Sequence, residues 1–273
     1  DIGRVIVYAG MPGRGLRPRN YKVINRSSLG GIIQPGEAFG RTLAAGDFNG
    51  DGFDDLAISA PNAVDARKKN AGAVHIIYGG PRGLHTANHR RLSQQNISGL
   101  NPEKNDRMGM SLSVGNFNGD AHDDLAIGLP YKSVLGKNNA GAVTIALGHK
   151  DGLGSGKWLV LTQESVANAS SEEGDGFGWS LASGNFGTDA FDDLAIGTPY
   201  ESSGGKAKTG MVSVIPGFKR GLRTSQSISF TQKHIEDTSR EGGERFGFSM
   251  AIGNFDGRFG DDLAIGAPYE NLK

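Results

Sequence analysis

The chain contains no cysteine in its 273 residues, which excludes disulfides, thiolate metal sites and cysteine nucleophiles and leaves the compartment open on that criterion. It also lacks any apolar run approaching the ~20 residues a helix needs to span a bilayer. No leader-like stretch precedes Asp1, as expected of a mature or trimmed chain. Net charge is absent too. Lys plus Arg and Asp plus Glu number 29 each, so no strong field favours nucleic acid or an anionic membrane. No segment sustains a helical period. The signatures of a serine-nucleophile elbow, a zinc protease helix and a phosphate-binding loop are all missing, so the chain reads as a non-enzyme. Gly174-Asp175-Gly176-Phe177-Gly178 is glycine-rich but precedes a strand, not a helix, which argues against a nucleotide cradle.

What the chain does have is 44 glycines and a long repeat. Copies begin at Phe39-Gly40, Met108-Gly109, Phe177-Gly178 and Phe246-Gly247, and 108−39, 177−108 and 246−177 each give 69. A period of that length marks an array of supersecondary units. Within a unit, short runs such as Leu194-Ala195-Ile196 and Val212-Ser213-Val214-Ile215 are bounded by Gly, Pro and Asp, which suits half-buried antiparallel strands. Four such strands per unit, with turn signals between them, read as the blade of an all-β propeller. The predicted organisation is one β-propeller domain over residues 1–273, of four four-stranded blades. Repeat cores fall at about 39–96, 108–165, 177–235 and 246–273 plus 1–25.

The last pairing follows from the chain ends. The fourth copy stops after Asp262-Leu263-Ala264-Ile265-Gly266-Ala267-Pro268, and Gly3-Arg4-Val5-Ile6-Val7-Tyr8 matches Gly72-Ala73-Val74-His75-Ile76-Ile77 in the first. The N-terminal strand is therefore expected to complete the last blade and close the ring, which would remove an exposed sheet edge. Closure within one chain, closure between two chains and a fragment of a larger ring all remain open, so a monomer or a homodimer is allowed.

Each unit carries an Asp/Asn-rich loop. In the first, Asp47, Asn49, Asp51 and Asp55 place oxygen side chains at positions 1, 3, 5 and 9, and Phe53 offers a backbone carbonyl at position 7. Alternate oxygen donors in a tight turn suit Ca²⁺, which takes six to eight oxygens. Position 12 is Ile58 and the flanks are strands, so this is not an EF-hand. The second loop, Asn116, Asn118, Asp120, His122 and Asp124, keeps the pattern with fewer carboxylates and is expected to bind more weakly. The third keeps Asn185, Asp189, Phe191 and Asp193, but position 3 is Gly187, so water or Thr188 must supply an oxygen. In the fourth, Arg258 replaces the central acid, and its guanidinium is expected beside Asp256 and Asp262 in place of an ion. Two to three Ca²⁺ sites follow.

These residues resemble the FG-GAP repeats of integrin α-subunit propellers and of related bacterial and phospholipase-associated propellers. The carriers are the Phe-Gly pairs, the four loops, and Gly128-Leu129-Pro130, Gly197-Thr198-Pro199 and Gly266-Ala267-Pro268. The resemblance implies that the Ca²⁺ loops join the first and second strands of each blade and act structurally, while ligands bind the opposite face. It departs from integrins in having four repeats, not seven. On that opposite face, loops with Arg67, Lys68, Lys69, Lys132, Lys137, Lys206 and Lys208 would alternate with loops bearing Glu103, Asp106, Glu172, Glu173, Asp175, Glu236, Asp237, Glu241 and Glu244. Such a face would suit a protein or glycan partner, in a secreted, cell-surface or periplasmic adhesion module with no membrane insertion and no nucleic-acid partner. Trp179, next to a Phe-Gly, is expected to pack between blades. A carbohydrate-binding lectin with inter-blade sugar sites, and a non-catalytic accessory domain of a larger secreted hydrolase, are the alternatives.

Overall fold

The computed structural model describes residues 2–32, 34–167, 169–234 and 242–270. An N-terminal hairpin comprises β1 (Val5–Met11) and β2 (Gly15–Ile24). Three complete blades follow. The first holds β3 (Leu43–Gly46), β4 (Asp55–Ala60), β5 (Ala73–Ile77) and β6 (Arg90–Leu92). The second holds β7 (Leu112–Gly115), β8 (Asp124–Leu129), β9 (Ala142–Ala146) and β10 (Trp158–Leu161). The third holds β11 (Ser180–Gly184), β12 (Asp193–Thr198), β13 (Met211–Ile215) and β14 (Ile228–Phe230). The chain ends in the pair β15 (Ser249–Gly253) and β16 (Asp262–Gly266). All ladders are antiparallel, and each complete blade is ordered as a meander.

The second and third strands of every complete blade are almost wholly buried, because both faces of the sheet are covered by neighbouring sheets. The cores accordingly lie between blades. One joins Val74, Ile76 and Leu92 of the first blade to Leu125, Ile127 and Leu129 of the second, and another joins Val143 and Ile145 to Leu194 and Ile196. Spacing between blades is set at one repeated position. A Cβ on Gly72 would lie 2.3 Å from the backbone of Met108, and one on Gly141 2.3 Å from Phe177, so only glycine lets the sheets approach. Gly3 meets Phe39 in the same way, at 2.3 Å. The N-terminal hairpin therefore stands to the first blade as β5 and β6 stand to the second.

That placement corrects the expected closure. Among the described residues, β1 pairs with β2, β16 pairs with β15, and no ladder joins β1 to β16. Each half-blade packs on its neighbour in sequence. Val5 and Ile24 bury against Phe39 and Ile58 at one end, and Leu263 and Ile265 lie against Val212 and Phe246 at the other. Three complete blades separate the two ends.

Candidate functional site

In each unit the loop between the first and second strands emerges at one end of the sheet. The residues after the second strand and before the first emerge at the other end. The acidic loops occupy the first of these ends. Asp47 caps its own loop, accepting the backbone N–H groups of Gly50 (2.8 Å), Asp51 (3.1 Å) and Gly52 (2.8 Å). Asn49 Nδ2 donates to Asp51 Oδ2 at 3.1 Å, and the Phe53 N–H donates to Asp51 Oδ1 at 3.0 Å. The second loop repeats this, with Asn116 accepting the Gly119 N–H, Asn118 donating to Asp120, and the His122 N–H reaching Asp120. In the third, the Phe191 N–H donates to Asp189 and Asn185 Nδ2 donates to the Asp189 carbonyl.

The ninth position has a second role that spacing did not reveal. Asp55 is buried and accepts the N–H groups of Phe48 (3.1 Å) and Gly79 (2.8 Å), which pins the loop to the third strand of its own blade. Asp124 receives Phe117 and Gly148, and Asp193 receives Phe186 and Gly217, in the same geometry. Burial pushes the Asp55 carboxyl up to about 6 against these donors, and the charges of Asp51 and Asp47 push it the same way. Burial carries Asp124 to about 7, again opposed by its backbone donors.

The preceding aspartate, overlooked in the sequence, couples neighbouring blades. Asp123 accepts the Asp47 N–H at 2.9 Å, Asp192 the Asn116 N–H at 2.8 Å and Asp261 the Asn185 N–H at 2.8 Å. In the second, third and fourth units the Asp-Asp doublet before the apolar strand is thus one link within a blade and one between blades.

Among the described residues no group of three or more His, Asp or Glu side chains is placed to hold a metal ion. A cation here would draw on mixed oxygens, with amide and backbone carbonyls beside the loop carboxylates. The donor set suits a hard cation in that respect. Asn185 Oδ1, at position 1 of the third loop, is a buried oxygen without a hydrogen-bond partner, the kind of acceptor a cation satisfies. In the fourth loop Arg258 Nε lies 3.6 Å from Asp256 as expected, in an exposed pair. Among the described residues Arg258 makes no ion pair with Asp262. Asp262 accepts the Phe255 N–H at 2.7 Å, the pinning role of its equivalents.

The opposite end carries a row of aromatic rings. Trp179 packs edge-on to Tyr200 at 5.1 Å and Tyr131 at 6.0 Å, and lies 5.5 Å from Phe248, so it bridges neighbouring units as expected. Arg107 lies over Tyr131 at 4.9 Å, and Arg245 lies over both Tyr200 (5.2 Å) and Tyr269 (4.3 Å). The tyrosines follow Pro130, Pro199 and Pro268 at the repeat interval, a signal present in the sequence and passed over. Trp158, by contrast, packs partly buried against the core between the first two blades.

The alternating charged loops are corrected in part. Lys132 is buried and paired with Asp106 at 3.0 Å, with Glu103 at 3.6 Å, and Asp175 and Glu244 are buried as well. Lys132, Asp106, Asp175 and Glu244 are therefore enclosed and not presented to a partner. Arg67, Lys68, Lys69, Lys206, Lys208, Glu103, Glu172 and Glu173 remain exposed, Lys137 is half-buried, and Glu236, Asp237 and Glu241 lie outside the described residues.

Comparison with known proteins agrees with this geometry. The FG-GAP repeat family model matches residues 39–77, 108–145 and 177–215, the first three units. The chain is similar to phosphatidylinositol-glycan-specific phospholipase D of Homo sapiens, 28% identical over 245 residues, covering 86% of this chain and 27% of that protein. It is also similar to integrin alpha pat-2 of Caenorhabditis briggsae, 29% identical over 241 residues (85% of this chain, 18% of the relative). Integrin alpha-PS2 of Drosophila melanogaster is 33% identical over 204 residues, covering 70% and 14%. The chain thus spans about a quarter or less of the length of these relatives.

Proposed function

Because this chain carries FG-GAP repeats folded as propeller blades, we propose that it is a calcium-stabilised, non-catalytic binding module that works outside the cell. The observation behind this is the opposition of its two ends, with acidic oxygen loops at one and the Tyr131–Trp179–Tyr200 row flanked by arginines at the other. Asp47, Asn49 and Asp51, with the Phe53 carbonyl and Asp55, would hold one ion. Asn116, Asn118, Asp120 and Asp124, with the His122 carbonyl, would hold a second. Asn185, Asp189 and Asp193, with the Phe191 carbonyl, would hold a weaker third. Bound calcium would neutralise the loop carboxylates and stiffen the end that links neighbouring blades. Loops of this strength fill where calcium is millimolar, which favours an extracellular, surface or periplasmic setting. Among the described residues no helix is long and apolar enough to cross a membrane.

Rigid aromatic rings and arginines are the side chains that anchor protein interfaces, so a protein is the first partner to test. A glycan is favoured by one further feature, a cavity of about 460 Å³ at the third blade lined by Glu201, Ser227, Ser229, Thr231 and His234 among others. The likeness to phospholipase D supports an accessory role within a longer secreted hydrolase.

The test is thermal melting with calcium and with chelator. Saturation at about a hundred times Kd adds ~2.7 kcal/mol to the native state, which is several degrees for a domain of this size. Asp51→Asn should remove the first loop's share of that gain, and Arg258→Ala should leave the gain intact. A melt indifferent to calcium overturns the reading.

A further inference from the structure

The repeat sets a buried acid shortly before each of its first three Phe-Gly or Met-Gly pairs, at Glu37, Asp106 and Asp175. Each accepts the N–H three residues earlier, from Gln34 (3.0 Å), Glu103 (2.7 Å) and Glu172 (2.6 Å). The three turns thus share one geometry, and what differs is the countercharge. Arg26 Nε lies 3.1 Å from Glu37, and Lys132 Nζ lies 3.0 Å from Asp106. Among the described residues Asp175 makes no ion pair. Lys137, whose charge reaches Asp175, donates its ammonium to the Ser171 carbonyl instead. At the position of Lys132 the third unit has a second acid, Glu201, since 201−132 is again 69.

We infer that Asp175, Glu201 and Gln163 form a site for one hard divalent cation, which takes the place that the Lys132 ammonium fills one unit earlier. Two carboxylates balance the charge of such an ion. Gln163 is fully buried, donates Nε2 to Glu201 Oε2 at 2.7 Å and lies against Asp175 as well, while its Oε1 has no hydrogen-bond partner. Gln94 Oε1 is bare in the same way in the second unit, where the lysine supplies the positive charge. Lys132 Nζ also takes the Asn101 carbonyl, at 2.6 Å, and the counterpart by the same spacing is the Ser170 carbonyl. Carboxylate, amide and backbone oxygens together make the donor set that calcium accepts in an irregular shell.

The electrostatics agree. The charges of Asp175 and Glu172 both oppose ionisation of Glu201, and two enclosed carboxyls side by side require either a cation or a proton between them. Without the ion the pair keeps a proton, so cation and proton compete for Glu201. An entry path exists, because Glu201 lines the cavity of about 460 Å³ at the third blade. The site lies at the opposite end of the sheets from the acidic loops. Its residues come from the connection between the second and third blades and from the turn between β12 and β13, so it is independent of whether those loops bind calcium.

Nuclear magnetic resonance of the full chain with manganese(II) as the probe tests the site. Manganese below one equivalent should broaden the Gln163 side-chain amide and the Glu172 N–H, and millimolar calcium should restore both. Glu201→Lys installs the ammonium that the second unit already accommodates, and both resonances should then stay sharp at the same manganese concentration. Glu201→Gln keeps the size of the side chain without its charge, and about tenfold more manganese should be needed for equal broadening, which serves if the lysine variant fails to fold. Sharp resonances in the parent at millimolar manganese overturn the inference, and so does broadening that both variants leave undiminished. The acidic loops report separately through the N–H groups of Gly50 and Gly119, so loops that bind nothing would not be mistaken for a failure here.

Discussion

Interior and terminal sheets share nearly the same sequence and differ sharply in burial. Phe48 and Phe117, at the second position of the first two acidic loops, are 0% exposed, whereas Phe255 in the fourth is 65% exposed. Its own strands are formed and its Asp262 pin is in place. What it lacks is a neighbour. A repeat of this kind cannot bury its apolar face alone, so the contribution of a residue depends on where in the array its unit stands.

The largest test of that contrast is at the Phe-Gly phenylalanines. Phe177→Ala removes a fully buried ring between two complete blades, with an expected loss of ~3–5 kcal/mol and a fall in Tm on the order of 10 °C. Phe246→Ala acts beside the terminal pair β15–β16, where Phe230, Leu263 and Ile265 line an open cavity into which the neighbourhood can collapse, and about half that loss is expected. Equal losses in calorimetry would show that the end is as well covered as the interior.

A smaller effect separates the doublet aspartates. Asp192→Ala leaves the Asn116 N–H without its acceptor between blades, for ~1–3 kcal/mol. Asp54→Ala, at an exposed position, should change the melting by no more than about 0.5 kcal/mol. If the two melt alike, Asp54 has a partner of its own within the chain.

These pairs also show what was legible beforehand. The 69-residue interval, the strands of the complete blades and the Arg258–Asp256 contact follow from local sequence, because turn residues and alternating apolar runs act within a unit. Ring closure did not follow, because a match between the first and last strands says which edges are complementary and nothing about which chain supplies them. In the first three units the second aspartate of the doublet reads as a metal ligand and its hold on backbone N–H groups stayed hidden, because a carboxylate that accepts such groups and one that binds an ion look the same in a sequence. The position occupied in turn by Ala63, Lys132, Glu201 and Glu270 changes sign from unit to unit, which resembles a solvated loop. It is instead a partly enclosed site whose partners change with it. Lys132 finds Asp106, and Glu201 takes a hydrogen bond from Gln163 at 2.7 Å.

That last substitution leads to the smallest expected effect. Glu201 stands where the second unit has a lysine, and burial, followed by the charge of nearby Asp175, raises its carboxyl to about 7 from 4.5. The folded chain therefore holds a proton that the unfolded chain releases above about 4.5. Stability from this group is present below that value and is lost as pH rises towards 7. The full shift corresponds to ~3 kcal/mol, and partial exposure reduces it to about 1 kcal/mol. Glu201→Gln keeps an acceptor for Gln163 and carries no charge, so its Tm should gain a few degrees over the parent at pH 7.5 and almost none at pH 4.5. His75 acts in the opposite sense within the same window. Burial, reinforced by the neighbouring Arg26 and Arg91, lowers it to about 2, so the native state loses stability as pH falls below about 6.5. The parent's profile between these limits sums His75 against Glu201 and the raised carboxyls of Asp55 and Asp124, and only the difference between parent and variant isolates Glu201. A difference that is flat across the range would place the Glu201 carboxylate in solvent, outside the interior that the complete blades enclose.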